Sequence, residues 1–280
     1  MKEYCNQNYD AERAFYGEKD IYVHDCTFAG PADGESAFKE CEKVRVERCE
    51  FDLRYPFWHV HGLQINQCEL RESCRAALWY SDGITVQNSK LHGIKAFREC
   101  SNARIEDSTV RSAEFGWMSS GTLMQNVTAE GEYFMMRGRN LRLGNVTFTG
   151  KYSFQYTDTV LIENCELDTK DAFWHAENVM VRNCRVKGEY LAWYAKNITF
   201  EHCTIIGTQP FCYCEGLRLE DCEMIDCDLA FERSEVTAEI TTPVLSIKNP
   251  LQGSYITAPA VGEIIRDIPE ALGKVVVKDA

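Results

Sequence analysis

Residues 171–190 read DAFWHAENVMVRNCRVKGEY, and this stretch is one unit of a repeat that runs through most of the chain. It combines an aromatic cluster, a segment of alternating apolar residues, an Asn-Cys step and a glycine. The segment recurs at a constant spacing from Ala103 onwards, and the earlier copies are spaced slightly less evenly. A repeat of nearly fixed length predicts a solenoid whose units contact only their neighbours. The alternating segments begin at Ile21, Val44, Leu63, Ile84, Ala103, Thr122, Leu141, Val160, Val179, Ile198, Leu217 and Val236.

Each copy alternates apolar and polar residues over a short segment, which is typical of a strand with one buried face. An Asn or Asp follows the segment in most copies, and such residues adopt the left-handed conformation of sharp corners. Two to three short strands per repeat predict an all-β fold, a right-handed parallel β-helix of 11 or 12 coils of about 19 residues. A leucine-rich repeat has a similar period, but its helical half and its asparagine spacing are missing here.

The repeat also predicts the domain organisation. We expect a single domain over residues 1–280, with an N-terminal cap at 1–20, coils at 21–242 and a C-terminal capping segment at 243–280. The last segment holds four of the seven prolines and breaks the repeat pattern. Solenoid ends expose strand edges and core, so covering segments are expected at both ends.

Composition and charge argue against two classes of binding partner, nucleic acids and membranes. The formal net charge of −13 argues against nucleic-acid binding, which needs clustered Lys and Arg. No stretch is apolar enough for a membrane span or a secretory leader, so no membrane partner is expected.

Fourteen cysteines raise the question of disulfides or zinc, but half of them share one repeat offset at which other copies carry Ser or Val. Such a column predicts small, buried, free thiols rather than a disulfide framework, a metal site or a cofactor site. Free thiols and the missing leader together predict a cytoplasmic location. The seven cysteines at this offset are Cys26, Cys49, Cys68, Cys165, Cys184, Cys203 and Cys222.

All five tryptophans lie five residues before the start of the next alternating segment. The column that follows them is too polar for a core, so it is expected to face solvent. Lys39, Arg98 and Gln155 replace Trp in other copies, which favours exposure of the tryptophan column, whereas strict alternation along the strand favours burial. The two columns would form a ladder of rings about 4.8 Å apart, which suits a glycan chain. Predicted ligand-binding residues are Trp58, Trp79, Tyr80, Trp117, Arg137, Trp174, Trp193 and Tyr194.

Two functions follow from this ladder. The first is a carbohydrate-binding or carbohydrate-active protein with an oligosaccharide or polysaccharide partner. The second is a non-enzymatic structural or protein-interaction solenoid, in which stacked rings only stabilise a flat sheet and the chain self-associates as a homo-oligomer.

Catalysis has weaker support in the sequence. A glycosidase needs two carboxylates within about 10 Å, and the polar column has none on adjacent coils. A lyase needs only a base and a positive charge, for which the candidates are Arg98, Glu99, His59 and His175. Each of these is more often simply a solvated surface residue.

Five stretches carry a resemblance to known proteins. The sequence resembles the right-handed β-helices of the pectin-lyase-like superfamily, and is more closely similar to a bacterial family described only as a domain of unknown function. The resemblance covers nearly the whole chain and implies the fold and a bacterial origin, without an established reaction. The paired-aspartate, Gly-His-Gly and Arg-Ile-Lys signatures of polygalacturonases are absent, which places pectin cleavage in doubt. The stretches are AERAFYGEKD (11–20), DAFWHAENV (171–179), GEYLAWYAKNITF (188–200), LAFERSEVTAEI (229–240) and IKNPLQGSYITAPAVGEII (247–265).

Overall fold

The computed structural model describes residues 1–30 and 35–278. The fold is an all-β parallel solenoid of about 14 turns with about 19 residues per turn. The described residues contain no helix, and therefore none that is long and apolar enough to cross a membrane. The chain divides into two compact units, Met1–Arg142 (unit 1) and Leu143–Ala280 (unit 2).

Unit 1 consists of short parallel strands joined by corners. Its strands are β1 (Lys2–Cys5), β2 (Asn8–Tyr9), β3 (Lys19–His24), β4 (Thr27–Ala29), β5 (Glu42–Glu47), β6 (Glu50–Asp52), β7 (Phe57–Trp58), β8 (His61–Asn66), β9 (Glu69–Leu70), β10 (Leu78–Trp79), β11 (Asp82–Gln87), β12 (Lys90–His92), β13 (Phe97–Arg98), β14 (Ser101–Glu106), β15 (Thr109–Arg111), β16 (Ser120–Gln125) and β17 (Thr128–Glu132). Strand β18 (Arg139–Gly144) contains the division between the two units.

Unit 2 continues the pattern of long and short strands. Its strands are β19 (Thr147–Lys151), β20 (Asp158–Glu163), β21 (Glu166–Lys170), β22 (Glu177–Arg182), β23 (Arg185–Lys187), β24 (Lys196–Glu201), β25 (Thr204–Ile206), β26 (Leu217–Ile225), β27 (Val236–Ile240), β28 (Val244–Lys248), β29 (Tyr255–Ala258), β30 (Val261–Ile265) and β31 (Lys274–Val277).

The long strands stack in register from turn to turn. In unit 1, Val44 of β5 pairs with Ile21 on one side and with Leu63 on the other, and Leu63 pairs with Ile84. All four side chains are at most 1% exposed. The register holds although these turns differ in length, and the additional residues between Leu63 and Ile84 lie outside the paired positions of β8 and β11. Apolar burial of this kind contributes about 25 cal/mol per Å².

The predicted Asn and Asp corners are confirmed. In unit 2, Asn164 and Asn183 follow the long strands β20 and β22 with φ of +54° and +51°. In unit 1, Asn88 and Asp107 follow β11 and β14 with φ of +50° and +48°. Short polar side chains tolerate this left-handed conformation, because they hydrogen-bond to nearby backbone.

The structure has more turns than the 11 or 12 predicted, because both end segments contribute strands. Strand β1 pairs with β3, with Lys2 opposite Ile21. An end turn buries little on its outer side, so β1 lacks the apolar alternation that marks the other strands. At the other end, β28 pairs with β30 and β29 pairs with β31, but prolines and irregular spacing conceal this repeat.

The cysteine column has a hydrogen-bonding role that the sequence did not reveal. All fourteen cysteines are free, and all except Cys5 are buried. In unit 2, the Cys184 thiol accepts from the Cys165 N–H at 3.3 Å and donates to the Arg182 carbonyl at 2.9 Å. The Ser108 hydroxyl in unit 1 accepts from the Ser89 N–H at 3.0 Å in the same way. The Cys and Ser members of this column therefore link successive turns by hydrogen bonds, which the Val members Val127 and Val146 cannot do through their side chains.

We predict that Ser108→Ala destabilises the fold by about 1–3 kcal/mol, because it leaves the buried Ser89 N–H without its acceptor. Ser108→Cys keeps an acceptor at this position and should cost less. Urea unfolding followed by circular dichroism measures both variants. Equal losses for Ala and Cys would show that only side-chain size matters in this column.

The buried thiols also predict a loss of stability at high pH. Burial raises the pKa of Cys41 and Cys74 to about 11 and that of Cys100 to about 12, whereas an unfolded cysteine has a pKa of about 8.5. Because the unfolded chain releases these protons first, stability should be constant up to about pH 8 and fall as pH rises towards 11.

Thermal unfolding between pH 7 and 11 measures this fall. A Cys41→Ser/Cys100→Ser variant should lose less stability over this range than the wild-type protein. Cys41 and Cys100 both lie three residues before the next alternating segment, and Ser81 and Ser119 occupy the same offset in other turns. Serine is therefore compatible with this position. An unchanged pH dependence in the variant would contradict the prediction.

Candidate functional site

In unit 2 the aromatic columns lie on a corner where the backbone alternates in handedness, whereas Trp58 and Trp79 of unit 1 lie in the short strands β7 and β10. Asp171, Phe173 and His175 have φ of +54°, +62° and +54°, whereas Ala172 and Trp174 between them do not have positive φ. This alternation replaces the simple in-and-out pattern of a strand. Phe173 is fully buried, Trp174 is half-buried and His175 is exposed.

The tryptophans are therefore neither fully exposed nor part of the core. All five are half-buried, and three of them donate the indole N–H to a backbone carbonyl sixteen residues further on. Trp117 bonds Tyr133 at 2.8 Å. Trp174 bonds Tyr190 at 2.7 Å, and Trp193 bonds Gln209 at 2.9 Å. The predicted exposure is thus only partial.

Indole faces in this column are covered by their neighbours. In unit 1, Trp58 and Trp79 stack with centroids 5.4 Å apart, and the Lys39 ammonium lies 4.2 Å from the Trp58 ring. The Arg98 guanidinium lies 5.9 Å from Trp79 and 5.5 Å from Trp117, so it is held between two indoles. In unit 2, Trp174 and Trp193 also stack at 5.4 Å. Cation–π contacts explain why Lys and Arg share a column with Trp.

The next column contains four stacked rings in unit 2, which we call the tyrosine–histidine ladder: Tyr156, His175, Tyr194 and Tyr213. Successive centroids are 4.9, 5.0 and 4.7 Å apart, and successive planes differ by at most 10°. Tyr156 is 44% exposed and Tyr194 42%. The ring faces cover one another, so the edges with the hydroxyl and imidazole groups face solvent. Sequence reasoning placed Tyr194 and His175 here but did not select Tyr156 or Tyr213 as site residues.

In unit 1 the column that corresponds to the ladder contains aromatic and charged residues together. His59 contacts Tyr80 edge to face at 5.2 Å, and Tyr80 is 41% exposed. Glu99 accepts a hydrogen bond from Arg98 Nε at 2.7 Å and interacts electrostatically with the Tyr80 hydroxyl. Partial burial acts to raise the pKa of Glu99, but the interactions with Arg98 and Tyr80 outweigh it and the pKa lies below its usual range. Arg137 is exposed on the same column.

Three of the four catalytic candidates lie near one another in unit 1. Arg98 and Glu99 form an ion pair and His59 lies near it in unit 1, whereas His175 belongs to the ladder of unit 2. Glu40 shares the exposed column with Glu99 but lies three turns away, about 14 Å at strand spacing. That separation is too large for a pair of glycosidase carboxylates. A catalytic role for these residues stays a prediction.

A second charged cluster in unit 1 was not predicted. His24 contacts Glu3 at 2.9 Å and Asp25 at 2.6 Å, and these bonds raise the pKa of His24. Arg48 binds both oxygens of Asp25, at 2.8 and 2.9 Å. The cluster lies beside a surface groove of about 530 Å³. The opposite charges of these groups neutralise one another. The residues come from different turns and are far apart in sequence, so no sequence motif predicts the cluster.

The sequence matches a known protein family. The model of a family described as "Protein of unknown function (DUF3737)" matches residues 2–275. The chain belongs to this family. No curated protein matches it in sequence.

Solved structures resemble this family member to different degrees. The A-module of the mannuronan C-5 epimerase AlgE6 from Azotobacter vinelandii is 10% identical with a TM-score of 0.50, covering 95% of this chain and 89% of that chain. The catalytic domain of a GH87 α-1,3-glucanase is 12% identical with a TM-score of 0.39, covering 98% and 62%. The pentapeptide repeat protein HetL from Nostoc is 14% identical with a TM-score of 0.33, covering 79% and 92%. The epimerase module supports the predicted right-handed parallel β-helix, and the likeness extends to the fold alone.

The indole hydrogen bonds predict different costs for two tryptophans. Trp174→Phe leaves the Tyr190 carbonyl without its donor, whereas the buried Trp79 Nε1 has no hydrogen-bond partner among the described residues. We expect Trp174→Phe to cost about 1–2 kcal/mol more than Trp79→Phe, because both lose the same ring area but only the first loses a bond. Urea unfolding measures the difference. Equal costs would exclude a stabilising role for the indole bond.

Proposed function

We propose that the protein binds a polysaccharide along the tyrosine–histidine ladder of unit 2. The observation that supports this proposal is the continuous row of four stacked rings with exposed edges. A contiguous aromatic surface of this kind commonly marks an interaction site. A linear polymer lying along the row would meet one ring in each turn.

The ligand would meet ring edges rather than ring faces. The hydroxyls of Tyr194 and Tyr213 and the ring nitrogens of His175 have no hydrogen-bond partner among the described residues. They can donate to and accept from sugar hydroxyls. Each such bond contributes about 1 kcal/mol net, so affinity would grow with the number of rings that the polymer spans.

Polar side chains border the ladder on the side that follows it in sequence. The Asn178 side chain donates to Asp158 at 2.8 Å, and Asn197 donates to Asn178 at 3.4 Å. Lys196 and Glu215 form an ion pair at 3.2 Å nearby. This row supplies further hydrogen-bonding groups beside the rings.

The proposal is binding rather than hydrolysis, because the four ladder residues include no carboxylate. The fold is compatible with it, since the epimerase module named for its action on mannuronan is also a parallel β-helix. The Trp column, including Trp174 and Trp193, would flank the ligand and hold the turns together. Free thiols throughout the chain are consistent with the proposed cytoplasmic location.

Removal of the hydroxyls tests the proposal without loss of the ring stack. A Tyr194→Phe/Tyr213→Phe variant should bind roughly tenfold or more weakly, as expected for two hydrogen bonds of about 1 kcal/mol each. Affinity gel electrophoresis in galactomannan, mixed-linkage β-glucan, polygalacturonate and polymannuronate measures the retardation. The wild-type protein should be retarded by at least one polymer.

Tyr255→Phe is the matched control, because Tyr255 is an exposed tyrosine (45%) of unit 2 outside the ladder. It should bind as the wild-type protein does. The proposal fails if no polymer retards the wild-type protein, or if the ladder variant and the control are retarded equally.

A further inference from the structure

The last turn of unit 2 leaves core positions uncovered. Ile264 of β30 is in register with Ile247 of β28, which is fully buried, yet Ile264 is 41% exposed. Val277 of β31 is in register with Ala258 of β29, also fully buried, yet Val277 is 48% exposed. These side chains occupy inward positions that no described turn covers. Leu272, two residues before β31, is 65% exposed.

The backbone of β31 is unpaired on the same side. The N–H groups of Lys274 and Lys278 donate to the carbonyls of Ser254, just before β29, and Ala258, at its end, both at 2.9 Å. Backbone groups alternate in direction along a strand, so those of Val275 and Val277 point away from β29. Within residues 1–30 and 35–278, no strand other than β29 pairs with β31. An apolar edge strand of this kind is a template for pairing with another chain.

We propose that this end of unit 2 binds the same end of a second copy, through antiparallel pairing of β31 about a two-fold axis at Val276. In that register Val275 lies opposite the second copy's Val277, and the two residues exchange both of their free backbone hydrogen bonds. Both side chains belong to the inward face, so each copy extends the core of the other. The surface is self-complementary, as a two-fold contact requires.

The first turn of the chain is a poorer partner for this surface. The inward positions of β1 are Lys2 and Tyr4, in register with Ile21 and Val23, so one of the two is an exposed charged residue, whereas both inward positions of β31 are valines. The two-fold register places Lys274 opposite the second copy's Lys278, and each Lys278 is paired with Glu239 at 2.9 Å. Salt should therefore strengthen the dimer, because it screens the remaining repulsion between Lys274 and the second copy's Lys278.

Sedimentation equilibrium over a hundredfold range of protein concentration tests the proposal. The wild-type protein should approach twice the chain mass of 32.1 kDa and go no further, and an Ile264→Lys/Val277→Lys variant should remain monomeric. Leu245→Lys is the matched control, since Leu245 is 56% exposed on β28 and is in register with neither Ile264 nor Val277. Thermal unfolding confirms that all three proteins fold.

A strictly monomeric wild-type protein, an end variant that still dimerises, or oligomers that grow beyond two copies would each overturn the proposal. Cross-linking tests the axis separately. In a Cys5→Ser background, Val276→Cys should form an intermolecular disulfide on mild oxidation, because a non-hydrogen-bonded antiparallel pair brings its Cα atoms to about 4.5 Å. Tyr255→Cys in the same background should not. Equal cross-linking at both positions would exclude the proposed register.

Discussion

In-register pairing of the backbone between successive turns is the constraint on which the rest of the structure depends. A parallel ladder places each residue directly beside its counterpart in the turns on either side. The side chain at each position must therefore be able to stack on a similar side chain about 4.8 Å away in the next turn. The stacked and buried Phe154 and Phe173, the cysteine column and the tyrosine–histidine ladder meet this one requirement in three ways, with rings stacked on rings and small polar side chains hydrogen-bonded to the neighbouring turn.

The corner that carries the aromatic columns satisfies its backbone in both directions. Asp171 and His175 donate their N–H groups to the following turn, at Glu189 and Trp193, whereas Phe173 donates to the preceding turn at Ser153. Left-handed conformations cost roughly 1–2 kcal/mol for non-glycine residues. Hydrogen bonds to both neighbouring turns and burial of the intervening ring offset that cost. An isolated turn would have neither.

Much of the fold was predictable from the sequence, because its signal is repeated in every turn. The constant spacing of the copies and the alternation at Val160, Val179 and Ile198 identify the strands, and the asparagines identify one corner. The end turns were not predictable, since β1 and β31 each have one neighbour and are free of the pattern that two neighbours impose. The direction of the tryptophans was ambiguous for a different reason. In unit 2 the alternating handedness of Asp171, Phe173 and His175 removes the period-two pattern of a strand, and no residue type in the sequence indicates this change.

The way in which the solenoid absorbs extra residues has a consequence for protein engineering. Ile84 lies in register with both Leu63 and Ala103, although the turn that leads to it from Leu63 is the longer of the two. Length can therefore be added at a corner without displacing the strands above or below. A foreign peptide inserted after β9 would be displayed at a defined height within unit 1. Equivalent corners of the same unit would allow several peptides to be presented at spacings set by the number of turns between them.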